Sequence, residues 1–512
     1  MNYAVKTDRL TTAGVIYSDS SEKTVDADLS LPDYCPDIRK ILKCTLDPQI
    51  ERKSVSGDRL VISGSSTVRV IYIDAIKNAV RCTEQCYPFE ISASLPVAPQ
   101  SAVISTETRV SYLNCRALSP RRLNIHGAFT VGVKVIDKTD SRVCTHIKGN
   151  DIEQRKVPVE YSQLNALVWQ QFSVTEVLET DRSTPAVQSV IRCDVRAFTK
   201  DCKLSSGKIS YKGELSVKLL YLSDLDTGKT ETLEYNIPFS QVIGMQNTAE
   251  DGELAVRAEV MNSSVILKTE IGFDDPLPVL SAGICVTVFS LSKRNEDIVT
   301  DCYSTSYKAK AVSAKTTVPL LISSLNESIV ERSNVEFVDS SVSGVIDVWC
   351  EKGAAVCDCV NGKALLRGKY TICVLASDPE GEVVYTERTM EYSRDLRAVE
   401  NGVKLDTFVS GEAVSVSFRI VSEKRIEVRT ELLVTGELYE LKTINGITEV
   451  TADENDRTVP GTDCSLIMCY AKKGEDIWDI AREHSASAER VRMENDLSED
   501  ILQNDMMILL PV

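Results

Sequence analysis

Apolar and polar residues alternate with a period of two along most of this chain. Between Arg59 and Ile73, Val68, Val70 and Tyr72 fall on one side and Arg69 and Ile71 on the other, the pattern of a half-buried strand. Such runs are punctuated by Asn361-Gly362, Asp378-Pro379-Glu380-Gly381 and Asn445-Gly446, which supply the backbone angles of tight turns. The pattern predicts a mainly all-β protein of tandem antiparallel, sandwich-like domains. It breaks at "YAKKGEDIWDIAREH", Tyr470 to His484. A strand is predicted from Tyr470, a sharp turn at Gly474, and a helix capped by Asp476 with Ile477, Ile480 and Ala481 at helical spacing and Trp478 at the core edge. A second helix begins near Ser487, carries Val491 inward and ends at Asn495, and a strand with Ile508 and Leu510 on one face closes at Pro511. The predicted order is strand, helix, helix, strand.

Laid against itself, the chain repeats. "VDADLSLPDYCPDIRKILKC" (Val25 to Cys44) aligns without a gap to Val174 to Cys193, putting Pro36 on Pro185 at an offset of 149 residues. The same offset carries Gly64 onto Gly213 and Tyr72 onto Tyr221. A weaker third copy places Val335 and Val338 where Ile38 and Ile41 stand, and Gly368 as the matching glycine. Periods this long mean tandem domains rather than solenoid repeats. Within each copy "strand, glycine, strand" recurs, as Gly127 on Gly64, so each domain reads as two related halves. The expected division is an N-terminal arm over 1–23, repeat domains over 24–165, 166–315 and 316–450, a linker over 451–465 and the terminal module over 466–512.

Composition narrows the function. Lys and Arg number 58 against 75 Asp and Glu, a net charge of −17, which repels nucleic-acid backbones and anionic bilayers. Neither a signal peptide nor an apolar run long enough to span a membrane is visible, so the protein is expected in the cytoplasm with its 16 cysteines as free thiols. His126, His146 and His484 are the three histidines and share no ligand spacing. Cys350, Cys357, Cys359 and Cys373 form the densest thiol group but lack paired zinc knuckles. "DTGKTET", Asp226 to Thr232, ends like a phosphate-binding loop, yet Ser223 stands where its first glycine belongs, and the segment reads as a hairpin turn. Tyr72 and Tyr221 read as half-buried sheet supports. No enzyme activity, cofactor or metal is expected.

Tyr470, Gly474, Ile477, Trp478, Ile480, Ala481, Val491, Asn495, Leu502, Ile508, Leu510 and Pro511 give the terminal module its resemblance to a LysM domain. The resemblance implies a shallow groove for N-acetylglucosamine glycans such as peptidoglycan, or for a partner, lined by Gly474, Glu475, Asp476 and Ile477 on one side and Leu497 to Ile501 on the other. Two positions depart from the family: Glu475-Asp476 replaces its Asp-Thr or Asp-Ser, and Asp505 its late glycine. "LPDYCPDIRKIL", Leu31 to Leu42, with the later strand–glycine–strand unit, resembles the spore-coat-associated repeat of clostridial proteins. Three such repeats before a LysM are the layout of the SipL-like family of spore coat assembly proteins. That resemblance implies a non-enzymatic adaptor in the mother-cell cytoplasm that binds the coat-basement ATPase SpoIVA at the forespore surface. The alternative is a wall protein that holds peptidoglycan through the same groove. From Tyr470 to Val512 five basic residues face ten acidic ones, a balance that suits a basic-rimmed protein partner better than anionic wall polymers.

Overall fold

The computed structural model describes residues 2–180, 184–205, 207–244, 252–269, 276–338, 340–400, 402–457 and 466–511. Among these residues, eighteen strands precede the terminal module and fall into three units of six, as antiparallel pairing defines them. The first unit holds β1 (Ala4–Ser30), β2 (Ile38–Ser56), β3 (Arg59–Asp74), β4 (Val80–Ser94), β5 (Val103–Ser119) and β6 (Arg122–Lys148). The second holds β7 (Ile152–Val177), β8 (Ser189–Ser205), β9 (Lys208–Asp224), β10 (Lys229–Gly244), β11 (Glu253–Lys268) and β12 (Leu277–Ser304). The third holds β13 (Tyr307–Glu336), β14 (Gly344–Val360), β15 (Lys363–Ser377), β16 (Val383–Ala398), β17 (Lys404–Ser422) and β18 (Arg425–Arg457). Each unit stacks two three-stranded sheets, ordered β1-β6-β5 over β2-β3-β4 in the first, with β7-β12-β11 over β8-β9-β10 and β13-β18-β17 over β14-β15-β16 as counterparts. The fold class read from the alternation therefore holds.

Alternation also explains the cores. Along β3 every second residue from Leu60 to Val70 is buried, and the same comb recurs in β9 and β15. The repeated glycines lie at one place in these central strands. Gly64, Gly213 and Gly368 sit directly across from Phe89, Phe239 and Tyr392 of the neighbouring strand. A Cβ there would lie 2.7 Å from the Phe89 ring, 2.4 Å from Phe239 and 2.3 Å from Tyr392. Each glycine is the bare spot over which an aromatic ring folds into the sandwich. Tyr72 and Tyr221 are fully buried rather than half-buried, and their hydroxyls donate to the carbonyls of Pro36 (3.3 Å) and Pro185 (3.1 Å). The proline–tyrosine pairs aligned in the sequence thus bond to each other in both units.

Three details differ from the sequence reading. Val335 pairs with Ile426 as Leu29 pairs with Leu123, so the third copy's counterpart of Val335 is Leu29, not Ile38; the alignment slipped because Val335 and Val338 carry the same three-residue apolar spacing as Ile38 and Ile41. Asn445-Gly446 makes no turn: both residues lie within β18, opposite Lys315 and Ala314, because the facing strand runs on past them and keeps the ladder paired. The repeat boundaries at 165/166 and 315/316 fall inside β7 and β13, and residues 4–23, expected as an arm, pair along β6.

The first and last strands of each unit outrun their sandwich. Residues 4–15 pair with 136–148, 152–164 with 291–304, and 307–321 with 439–457. These three two-stranded ribbons pack into one stalk, where Leu10, Val143, Val159, Tyr161, Ile298, Val318 and Ile444 form a shared core. At the other end the inner sheets meet in a cycle, β4 beside β8, β10 beside β14 and β16 beside β2, around Ile71, Leu220, Leu375 and Trp349. The arrangement is a closed pseudo-threefold ring. Its second–third junction holds a buried ion network: Asp347 accepts from Arg192 and Lys218, both at 2.7 Å, Asp194 also pairs with Arg192, and the Arg192 guanidinium lies 4.4 Å from the Trp349 ring centre.

At the ring end, one aspartate per unit braces the hairpin turn. Asp74 accepts from the amides of Ile76 (3.0 Å) and Lys77 (2.6 Å), Asp224 from that of Asp226 (2.7 Å), and Asp378 from those of Glu380 (3.0 Å) and Glu382 (2.7 Å). Arg81 also holds Asp74 at 3.0 Å and reaches Leu225 O in the next unit. Burial alone would raise the Asp74 pKa, but the amides and Arg81 outweigh it and hold it below the ordinary carboxylate value. A group depressed in the folded state stabilises above its unfolded pKa, and that stabilisation is lost as pH falls through the folded value. Asp74→Asn is therefore expected to lower the melting temperature at neutral pH and to shrink the difference between neutral and acid melting curves. Gly64→Val and Gly213→Val are each expected to destabilise by about 1–3 kcal/mol, read as matching shifts in chemical denaturation. A Gly132→Ala control, where a Cβ meets only Glu107 O at 3.7 Å, should shift little.

Candidate functional site

The terminal module has the expected order: β19 (Leu466–Ala471), α1 (Ile477–Glu483), α2 (Ala488–Glu494) and β20 (Met506–Pro511), with β19 and β20 antiparallel. Its core is Ala471, Ile477, Ile480, Ala481, Val491, Ile508 and Leu510. Asn495, at the end of α2, ties the layers together. Its amide donates to Val491 O and Leu509 O, both at 2.7 Å, and its Oδ1 accepts from Leu509 N at 2.8 Å.

The two predicted groove walls meet. Gly474, at φ +91°, turns the chain so that its N–H reaches Leu502 O at 2.8 Å; Ile477 N donates to Asp500 O at 2.8 Å and Leu502 N to Glu475 O at 2.9 Å. Asp476 and Ile501 form an isolated antiparallel bridge. The turn before α1 and the loop after α2 are thus joined backbone to backbone. Glu475 lies exposed, its carboxylate accepting from Lys472 N at 3.1 Å. Asp476 caps α1, accepting from Trp478 N at 2.9 Å. Ile501 is 53 % exposed and Leu497 half-buried. Ile477, read from the sequence as a contact residue, is 1 % exposed; its place is the core of the module.

Residues far upstream complete the site. The stalk end of the second unit meets α1: Arg155 on β7 pairs with the Asp476 carboxylate at 2.7 Å. Asp301 on β12 accepts from the Trp478 indole N–H at 2.8 Å and from Arg482 at 2.7 Å. Tyr303 packs edge-on to Trp478 with ring centres 4.9 Å apart and donates to Ala486 O at 2.8 Å. Burial lifts the Tyr303 phenol well above its usual pKa, so it stays a neutral donor. A register shift between Val299 and Asp301 aims these side chains, since an extra residue in one strand re-sets which face each following side chain takes. Nothing in the local sequence marks Arg155, Asp301 or Tyr303, because their partners lie some 180 residues or more onward.

Among the described residues no group of His, Cys, Asp and Glu is placed to hold a metal ion. His126 instead contacts Asp26 and Tyr112, and His146 contacts Gln154. No helix among them is long and apolar enough to cross a membrane.

Fold and site together define a protein of tandem β units carrying a small terminal module. The family model described as SipL, SPOCS domain, matches residues 37–118 and 186–268. These are the same four strands of the first two units, β2 to β5 and β8 to β11. The match supports a SipL-like family and a role connected with the spore coat in sporulation. No curated protein and no solved structure matches the chain.

The burial of Ile477 changes how the groove is tested. Ile477→Asp places an unpaired charge in the core and is expected to unfold the module, whereas Ile501→Asp leaves it folded. Hydrogen exchange over residues 466–511 of the full chain should show loss of protection for the first variant and native protection for the second.

Proposed function

We propose that this chain is a non-enzymatic adaptor in spore coat assembly, working in the mother-cell cytoplasm at the forespore surface, and that its terminal module is a LysM domain used to bind protein. The partner is the coat-basement ATPase SpoIVA. The observation that carries this reading is the recurrence of one spore-coat family match on equivalent strands of two units. Exposed Glu475 beside exposed Ile501 supports a protein ligand, since an apolar centre flanked by acids complements a basic-rimmed apolar surface. The same acids oppose attraction to anionic wall polymers.

Purified full-length chain is expected to bind purified SpoIVA with a dissociation constant in the micromolar range or below, and Glu475→Lys combined with Ile501→Asp is expected to weaken it by about tenfold, roughly 1.4 kcal/mol. Peptidoglycan fragments should give no saturable signal. Micromolar binding of those fragments, with no binding of the ATPase, would overturn the adaptor reading in favour of glycan recognition.

A further inference from the structure

The terminal module follows the third unit in sequence but is held by the second. Arg155 reaches Asp476 at the mouth of the predicted groove, Asp301 bridges Trp478 and Arg482 on the outer side of α1, and Tyr303 lies within the module's own core cluster. Trp478 and Tyr303 are 8 % and 7 % exposed; taken off the stalk, each ring would lose its contact with the other. The contact is specific in its chemistry, with a carboxylate shared by an indole N–H and a guanidinium, and an aromatic ring two residues on. It is also modest in strength: Arg155–Asp476 and Arg482–Asp301 are partly exposed, so water screens them, and a single aromatic pair adds little beyond its buried area.

We propose that the stalk end of the second unit is a clasp: it holds the terminal module closed, covering the outer side of α1 and occupying Asp476, and a protein partner gains the module by displacing it. The proposal rests on the adaptor reading above for the identity of the partner, though the clasp itself is read without one. A clasp lowers apparent affinity by the fraction of molecules in which the module is free, so loosening it strengthens binding without adding a contact to the partner.

The test uses the full chain with Asp301→Lys, which sets a cation against Arg482, with Arg482→Asp, and with both changes together. Tyr303→Phe removes only the hydroxyl bond to Ala486 and serves if Asp301→Lys fails to fold. The first readout is hydrogen exchange over residues 477–494. We expect about tenfold faster exchange in each single variant, restored toward wild type in the reversed pair, with unchanged exchange over the stalk cores of the first and third units. Unchanged exchange in the single variants overturns the clasp; recovery in the reversed pair is partial, because the ammonium brought in by Asp301→Lys cannot accept from the Trp478 indole N–H. The second readout is affinity for purified SpoIVA, expected to rise several-fold in Asp301→Lys and return in the reversed pair. Equal or weaker binding by a variant whose α1 has been shown to open overturns displacement, because the stalk would then be either irrelevant to the partner or part of its binding surface. If wild-type and opened chains both fail to bind SpoIVA, the partner reading falls and displacement with it, while the exchange result still decides the clasp.

Discussion

Pairing of the first strand of each unit with its last, along nearly the full length of both, is the constraint on which the rest of the structure depends. In the first unit Ala4 faces Lys148 and Ser30 faces Arg122 with two register shifts between. One half of that ladder forms the middle of a sandwich sheet and the other half a ribbon of the stalk. The ladder therefore closes the unit and ties it to its neighbours. A two-stranded ribbon alone is marginal in water. Three of them can bury their apolar sides on one another, and Leu10, Tyr161 and Ile444, each from a different unit, meet there. The stalk consequently couples the units, and at the opposite end the cyclic meeting of the inner sheets couples them again.

The same logic explains which polar groups are buried. Asp347 and Arg192 lie at the ring junction with little exposure, a placement that carries a large desolvation penalty unless every charge is paired. Lys218 and Asp194 complete the pairing, and the Trp349 face covers the guanidinium. Such a network fixes orientation between neighbouring sheets, which apolar contact among Ile71, Leu220 and Leu375 would leave free to slide. At the turns, Asp74 with Arg81 does similar work at smaller scale: Arg81 bonds both its own unit's aspartate and a carbonyl of the next unit.

Much of this was legible in the sequence because it is local or repeated. Period-two alternation gave the strands, and the glycine recurring at 64, 213 and 368 marked equivalent points. The spacing of Ile477, Ile480 and Ala481 located α1. What could not be read was any property that depends on the partner of a strand. The Asn445-Gly446 turn signal is overridden by thirty residues of ladder in β13. The ends of the units lie in ribbons whose residues alternate like those of any other strand. At the module, the sequence indicated which residues belong to it, but family likeness placed Ile477 at a surface, whereas its position as first residue of α1, facing inward between the helices and β20, makes it core.

The stalk also explains how a module tethered to the third unit can be held by the second. Because three ribbons converge, the end of β18, from which the chain departs at Arg457, lies in the same bundle as the ends of β7 and β12. Tyr3, Cys302 and Val450, from the three units, share one cluster there. The register shift before Asp301 then matters: Cys302 turns into that cluster while Tyr303, its immediate neighbour, turns out to the module. Val299 lies in the same cluster as Cys302, and in an unbroken ladder Asp301 and Tyr303 would fall on the side of Val299 instead. One extra residue in β12 lets a strand that builds the stalk also present a carboxylate and an aromatic ring to α1, so the element that binds the three units together is also the element that positions the terminal module.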